Sequence, residues 1–168
     1  MKRWLDATDF RAMPWANGKG VTLELARADG PDGRMLWRLS RAKVVEEGPF
    51  SLFPGVERNL TVLTGPGFDL VGEGLHLAAR PLVPVAFAGD VPVRAVAVSA
   101  PSDDFNVMTA RALPRPVVRV LTAAERLVAG GLLALYFPQS ARLLLSDEGF
   151  DFAEGEVAIA VRLALPPG

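Results

Sequence analysis

One histidine and no cysteine stand in a chain of 168 residues. Transition-metal sites in β-rich proteins draw on clustered imidazoles and carboxylates, and soft sites draw on thiolates. His76 lies in Gly74-Leu75-His76-Leu77 with no second histidine to join it, so a metal site built there would need carboxylates and solvent for its other ligands. It reads instead as a strand or hairpin histidine, solvent-facing or hydrogen-bonded. The missing cysteines exclude disulfides, iron–sulfur clusters and thiol nucleophiles. Chemistry that needs two histidines is excluded too, and no GxSxG-type nucleophile motif or paired-carboxylate pattern stands out.

The polar residues with a chemical use lie elsewhere. In Trp37-Arg38-Leu39-Ser40, strand alternation puts Arg38 and Ser40 on one face and Trp37 and Leu39 on the other. If that face is an interior one, Arg38 needs a carboxylate, because a buried unpaired charge is too costly to keep. Glu24, Glu47 and Glu57 are the candidates within the protein, and a ligand carboxylate is the alternative; Arg58 is a second cation of the same kind. Asp103-Asp104-Phe105-Asn106-Val107-Met108-Thr109, with Arg111 close behind, gathers acidic, amide and basic groups after a proline break. Asp104 could serve there as a base or orient Arg111, and Asn106 could hydrogen-bond a polar ligand. Helix capping by Asp103 or Asp104 is the competing reading. Asn17-Gly18-Lys19-Gly20 has the look of an anion-binding loop, but lacks the GxxxxGK[ST] pattern and is followed by a strand, so a tight turn in which the glycines supply positive φ is the preferred reading.

The elements that must position these groups are short and extended. Apolar segments alternate with turn residues at close spacing, which implies an all-β sandwich or barrel with few short helices. Strands are expected over Val21–Leu25, Met35–Ser40, Arg58–Leu63, Val83–Phe87 and Val93–Val98, with a hairpin at Phe68–Val71 and Leu75–Leu77. Pro84 places its strand at an edge or a bulge. Ser102–Asn106 reads as a short helical turn or a loop. Strands resume at Pro116–Leu121, Gly131–Phe137, Ala141–Leu145 and Val157–Leu165. Residues 1–168 are expected to form one compact unit, built from two half-barrels that meet near residues 100–115.

Half of the residues are hydrophobic and the net charge is −1, the balance of a globular protein with no cationic surplus for nucleic acid or an anionic membrane. Asp6, Asp9 and Arg11 interrupt any leader-like apolar run, so a cytoplasmic protein is expected. The excess of arginine over lysine and the abundance of alanine suggest a GC-rich bacterial genome.

Met13-Pro14-Trp15-Ala16-Asn17-Gly18-Lys19-Gly20, Trp37-Arg38-Leu39-Ser40, Gly48-Pro49-Phe50-Ser51, Phe53-Pro54-Gly55-Val56-Glu57-Arg58 and Asp104-Phe105-Asn106-Val107-Met108-Thr109, in that order, resemble the HutD/Ves family closely. The resemblance covers about Trp4 to Val120, and the rest suits the closing strands of a two-part fold. It implies a cupin-like double β-barrel or sandwich, a degenerate bicupin, that works without metal or other cofactor. HutD proteins are associated with histidine utilisation, where binding of an acidic intermediate such as formylglutamate has been proposed to set a regulatory limit; Ves proteins are associated with stress or cold response. By that resemblance the ligand is a small carboxylated metabolite, held by Arg38 and Arg58 and oriented by Asn17, Ser40, Asp104 and Asn106. The alternatives are a metal-independent isomerase or hydrolase with Asp104 as base and Arg38 stabilising an oxyanion, and a homodimer acting through protein interaction. The family pattern commonly reads Asn-Gly-Gly-Gly where this chain has Lys19, which implies either local strain or an added cation near the ligand.

Overall fold

The computed structural model describes residues 1–164, and among them every regular element is a strand. The chain divides into two compact units, one of Arg11–Ala112 and one that combines Met1–Phe10 with the chain from Leu113 onward.

The first unit is an open sandwich of two antiparallel sheets. One sheet holds β2 (Arg11–Pro14), β3 (Val21–Asp29), β4 (Met35–Val44), β11 (Ser102–Ala110), β6 (Val56–Thr64) and β9 (Val85–Ala88), side by side in that order. The other runs β5 (Gly48–Pro49), β10 (Val93–Val96), β7 (Phe68–Gly72), β8 (Leu75–Ala79). Val44, Leu60 and Val62 from the first sheet meet Phe68, Leu70, Ala79, Val93 and Ala95 from the second in one buried cluster. This is period-2 alternation at work, each strand sending every second side chain inward. β9 begins at Val85, directly after Pro84, and is an edge strand, where a missing N–H does no harm.

The second unit is built on a five-stranded sheet, β1 (Lys2–Leu5), β15 (Arg142–Ser146), β14 (Leu132–Phe137), β17 (Ala158–Leu163) and β12 (Val117–Leu121). A two-stranded ribbon, β13 (Glu125–Leu127) and β16 (Phe150–Phe152), contributes Leu127 and Phe152 to a core shared with Leu121, Leu133, Leu135, Leu144 and Ala160. The strand expected to reach Leu165 is seen as β17; Leu165 itself lies outside the described residues.

Two expectations are corrected. The few short helices do not form among the described residues. Ser102–Asn106, read as a helical turn or loop, is the start of β11. Its Ser-Asp-Asp-Phe-Asn composition favours caps and turns locally. Pairing with β4 on one side and β6 on the other nevertheless satisfies the backbone in extended form, and that tertiary pairing outweighs the local preference.

Candidate ligand-binding site

Strand register assembles the site. On β11, Met108 lies between Arg38 of β4 and Arg58 of β6; Asn106 lies between Ser40 and Leu60; Asp104 lies between Ala42 and Val62. Residues two apart on a strand share a face, so Arg38, Ser40, Arg58, Asp104, Asn106 and Met108 form one polar floor in the middle of the sheet. They line a cleft of about 410 Å³, whose walls include Trp15 and Asn17 from the β2–β3 turn and Phe50 and Phe53 from the chain after β5. That volume suits a small organic ligand. Val44 lines the cleft and belongs to the buried cluster as well, so core and cleft are adjoining stretches of the same space between the sheets.

Arg58 is only 8% exposed. Its guanidinium lies 5.3 Å from the ring centre of Phe50, 5.2 Å from Phe53 and 5.1 Å from Phe87, an aromatic cage whose electron-rich faces partly replace lost hydration. Its Nη2 donates to Asn106 Oδ1 at 3.2 Å, while its Nε is buried with no partner. Burial pushes its pKa down to about 10, against the nearby Asp104 charge that holds it up. Arg38 faces the Phe53 ring at 5.6 Å, and its Nε is likewise buried and unpartnered. Desolvation lowers its pKa, with Glu24 opposing and Arg27 reinforcing that shift. Among the described residues neither guanidinium forms a salt bridge with a carboxylate.

The protein partners considered for Arg38 are occupied otherwise: Glu47 Oε2 accepts from the Ala97 N–H at 3.2 Å and Glu57 Oε1 from Arg111 Nε at 2.7 Å. Glu24 acts on Arg38 only as a charge. Arg111 is held by Asp90 and Glu57 and is not oriented by Asp104, which corrects that expectation. Asp103 and Asp104, inside a strand, cap no helix. Asp103 pairs instead with Arg41 at 3.1 Å.

Asp104 is 1% exposed and accepts a hydrogen bond from Asn106 Nδ2. Burial raises its pKa to about 7; the Asn106 hydrogen bond and the Arg58 charge oppose that rise, and Asp103 adds to it. A chain of contacts therefore runs from Arg58 through Asn106 to Asp104, with Asn106 using its carbonyl toward the cation and its amide toward the acid.

Asn17 sits on the cleft wall in a tight turn. Trp15 N–H donates to Gly20 O at 2.8 Å, and Asn17 Oδ1 accepts from the Lys19 N–H at 2.9 Å. Positive φ falls on Gly18 (71°), and Lys19 does not share it, so the expected strain at Lys19 is absent. Its ammonium pairs with Glu46 at 3.1 Å and is not part of the cleft lining. Gly20 has a different reason for its identity: a Cβ there would come within 2.8 Å of the Trp15 ring, whose Nε1 donates to Thr22 Oγ1 at 2.9 Å. His76 is not among the residues that line this cleft; it is 66% exposed and hydrogen-bonded to Asp69 Oδ2 at 2.8 Å. A cupin-type divalent cation does not fit the cleft: its floor presents two guanidinium groups against a single carboxylate, and the cations would repel it.

The HutD family's sequence profile matches residues 7–163. The chain belongs to the HutD/Ves family. It is 36% identical over 150 residues to a Pseudomonas putida protein encoded in the region 3′ of hutC, covering 86% of this chain and 77% of that one. It is 34% identical to the protein Ves of Citrobacter koseri, covering 95% and 88% respectively. Among solved structures, HutD from Pseudomonas fluorescens SBW25 superposes with a TM-score of 0.78 at 28% identity, over 97% of this chain and 94% of that one. The fold is thus an all-β, cupin-like sandwich, and of these relatives the P. putida protein is the one encoded beside hutC.

Within this HutD/Ves protein, all six residues singled out from sequence line the one cleft. Sequence reasoning missed the aromatic cage. Phe50 and Phe53 stand beside turn prolines and Phe87 lies on an edge strand, and nothing local marks them as neighbours of a cation; the arginine on a neighbouring strand face was the only signal. Gly89 holds that cage in place. Its carbonyl accepts from the Phe53 N–H and its own N–H donates to Val56 O, each at 2.7 Å, and a Cβ at Gly89 would come within 2.7 Å of Phe53 O. Gly89→Ala is therefore expected to destabilise the protein by about 2 kcal/mol, the scale of overpacking a tight site. Urea denaturation checks this, and an unchanged midpoint would show that the turn yields freely.

Proposed function

We propose that this chain is a non-enzymatic, cytoplasmic binding protein for a small carboxylated metabolite, with a regulatory role in histidine utilisation. Formylglutamate or another intermediate of histidine degradation is the ligand class this reading favours. The observation that carries it is the pair Arg38 and Arg58, two desolvated guanidinium groups in one cleft with no salt-bridged carboxylate among the described residues. A ligand carboxylate supplies the missing counter-charge through charge-assisted hydrogen bonds, while Ser40, Asn17 and Asn106 fix its orientation. The HutD structure of P. fluorescens is described in a formate condition, and formate is the simplest carboxylate.

Arg38 is the better probe of the pair, because it is only partly buried and Arg58 is built into the core. A thermal-shift series with formylglutamate and related carboxylates is expected to raise the melting temperature, since a ligand that binds only the native state stabilises it. Arg38→Ala is expected to weaken binding by roughly 10- to 100-fold, the worth of a hydrogen bond to a charged group. No shift with any carboxylate, or full affinity in Arg38→Ala, would overturn the assignment.

One observation favours a second reading. Asp104, with a pKa near 7 beside a cleft cation, has the protonation poise of a general base. Consumption of a bound carboxylate on incubation, lost in Asp104→Asn while binding survives, would establish an enzyme.

A further inference from the structure

We propose that the cleft is polarised, so that its ligand carries a carboxylate at one end, against Arg38 and Arg58, and an N–H or O–H donor at the other, accepted by Asp104. This rests on the carboxylate-binding reading and adds the chemistry of the ligand's second end.

The polarity follows from register. Arg38 and Arg58 flank Met108, whereas Asp104 lies four residues further along the same face of β11; the Arg58 side chain reaches back toward it, so that the Asn106 amide alone stands between guanidinium and carboxylate and a short ligand can meet both. The two neighbours of Asp104 on β4 and β6 are Ala42 and Val62, which offer it nothing polar. Among the described residues its one side-chain hydrogen-bond partner is the Asn106 amide, and the carbonyl of that same amide is taken by Arg58. A carboxylate accepts up to about four hydrogen bonds, so Asp104 retains acceptor capacity at the cleft wall it lines. A ligand end bearing a second carboxylate would place like charges together there. A methyl end would cover the acid without satisfying it. A donor end does neither.

The groups that act on Asp104 are Arg58 from β6, Arg41 from β4 and Asp103 on its own strand; the two cations lower its pKa, yet burial outweighs them and raises it to about 7. Below that value the acid holds a proton and itself becomes a donor, so the discrimination against a second carboxylate should relax as pH falls.

Three probes of equal chain length separate the possibilities: glutarate, its monoamide, and 5-oxohexanoate, which replaces the amide NH2 by a methyl group. Titration calorimetry on the full chain at pH 8.5 is expected to show the monoamide binding at least tenfold more tightly than the other two. At pH 6.0 glutarate should regain at least tenfold relative to the monoamide. In Asp104→Asn, whose side chain offers both donor and acceptor at every pH, that change of ratio with pH should vanish. Should this variant not fold, the pH series on the unaltered protein decides alone. Equal binding of all three probes at pH 8.5 overturns the donor end; if Arg38→Ala then weakens all three, the carboxylate reading survives that failure. If none of the three binds, both fall together.

Discussion

Arg58→Ala is expected to lower the unfolding free energy by about 3 kcal/mol, within the range for truncating a large buried side chain. Two effects add and one opposes. The space between Phe50, Phe53 and Phe87 is left empty, and Asn106 Oδ1 loses its donor while still buried. Against this, a desolvated cation is removed, and the drop of its pKa to about 10 shows that its charge is costly to hold there. Arg58→Met keeps most of the volume and discards the charge, so it separates the parts: it is expected to recover much of the lost stability while leaving carboxylate binding abolished. Urea denaturation and calorimetry read the two quantities. An Arg58→Ala protein as stable as the parent would mean that the aromatic cage closes without its cation. Loss of Arg58 also removes a charge that favours ionised Asp104, so the titration of Asp104 should move further upward.

Asp104→Asn is expected to stabilise the protein in a pH-dependent way. Asp104 has a folded-state pKa of about 7 against an ordinary value of 3.8, so between those values the native state binds more protons than the unfolded chain. Stability then falls as pH rises through that window and levels off above about 7, by an amount on the order of 4 kcal/mol for this group. Asparagine resembles the protonated acid and carries no such penalty. The gain of Asp104→Asn should therefore be greatest at pH 8, shrink steadily below pH 7 and disappear near pH 4. Carboxylates with depressed pKa values, such as Asp69 and Asp6, act in the opposite sense at more acid pH, but they are common to both proteins and cancel in the difference. A gain that is flat across pH 4 to 8 would place the Asp104 pKa at its ordinary value.

Much of the site was legible because alternation on a strand is strict. Arg38 and Ser40 share a face by parity alone, and strong apolar neighbours at Trp37 and Leu39 showed which face was the other. Arg58 was legible as a cation of the same kind, though its depth was not. Asp104 and Asn106 were found as chemistry and misread as structure. Their surroundings are cap-forming residues after a proline, and only the partners β4 and β6, more than 30 residues away in sequence, make them a strand. β1 was invisible for a similar reason: Lys2–Leu5 carries three exposed residues and gains its strand identity from pairing with Arg142–Ser146 at the other end of the chain. That Pro84 marks an edge or a bulge was legible, because proline constrains pairing by itself, and the strand order decides for the edge. Local chemistry thus located the groups and the turns, while the partners that decide extended structure are long-range and leave no local mark.

The floor of the cleft comes from β4, β11 and β6, three adjacent interior strands of one sheet, while its walls come from turns. This separates two thermodynamic duties. Groups that must meet the ligand's charge are already ordered by backbone pairing on both sides, so binding spends little conformational entropy in fixing them. Adaptation to the ligand's shape is left to Trp15–Asn17 and Phe50–Phe53, segments free of that double pairing. Selectivity for charge is therefore stiff and selectivity for size is soft, so enlarging the ligand should be tolerated far better than altering its polarity.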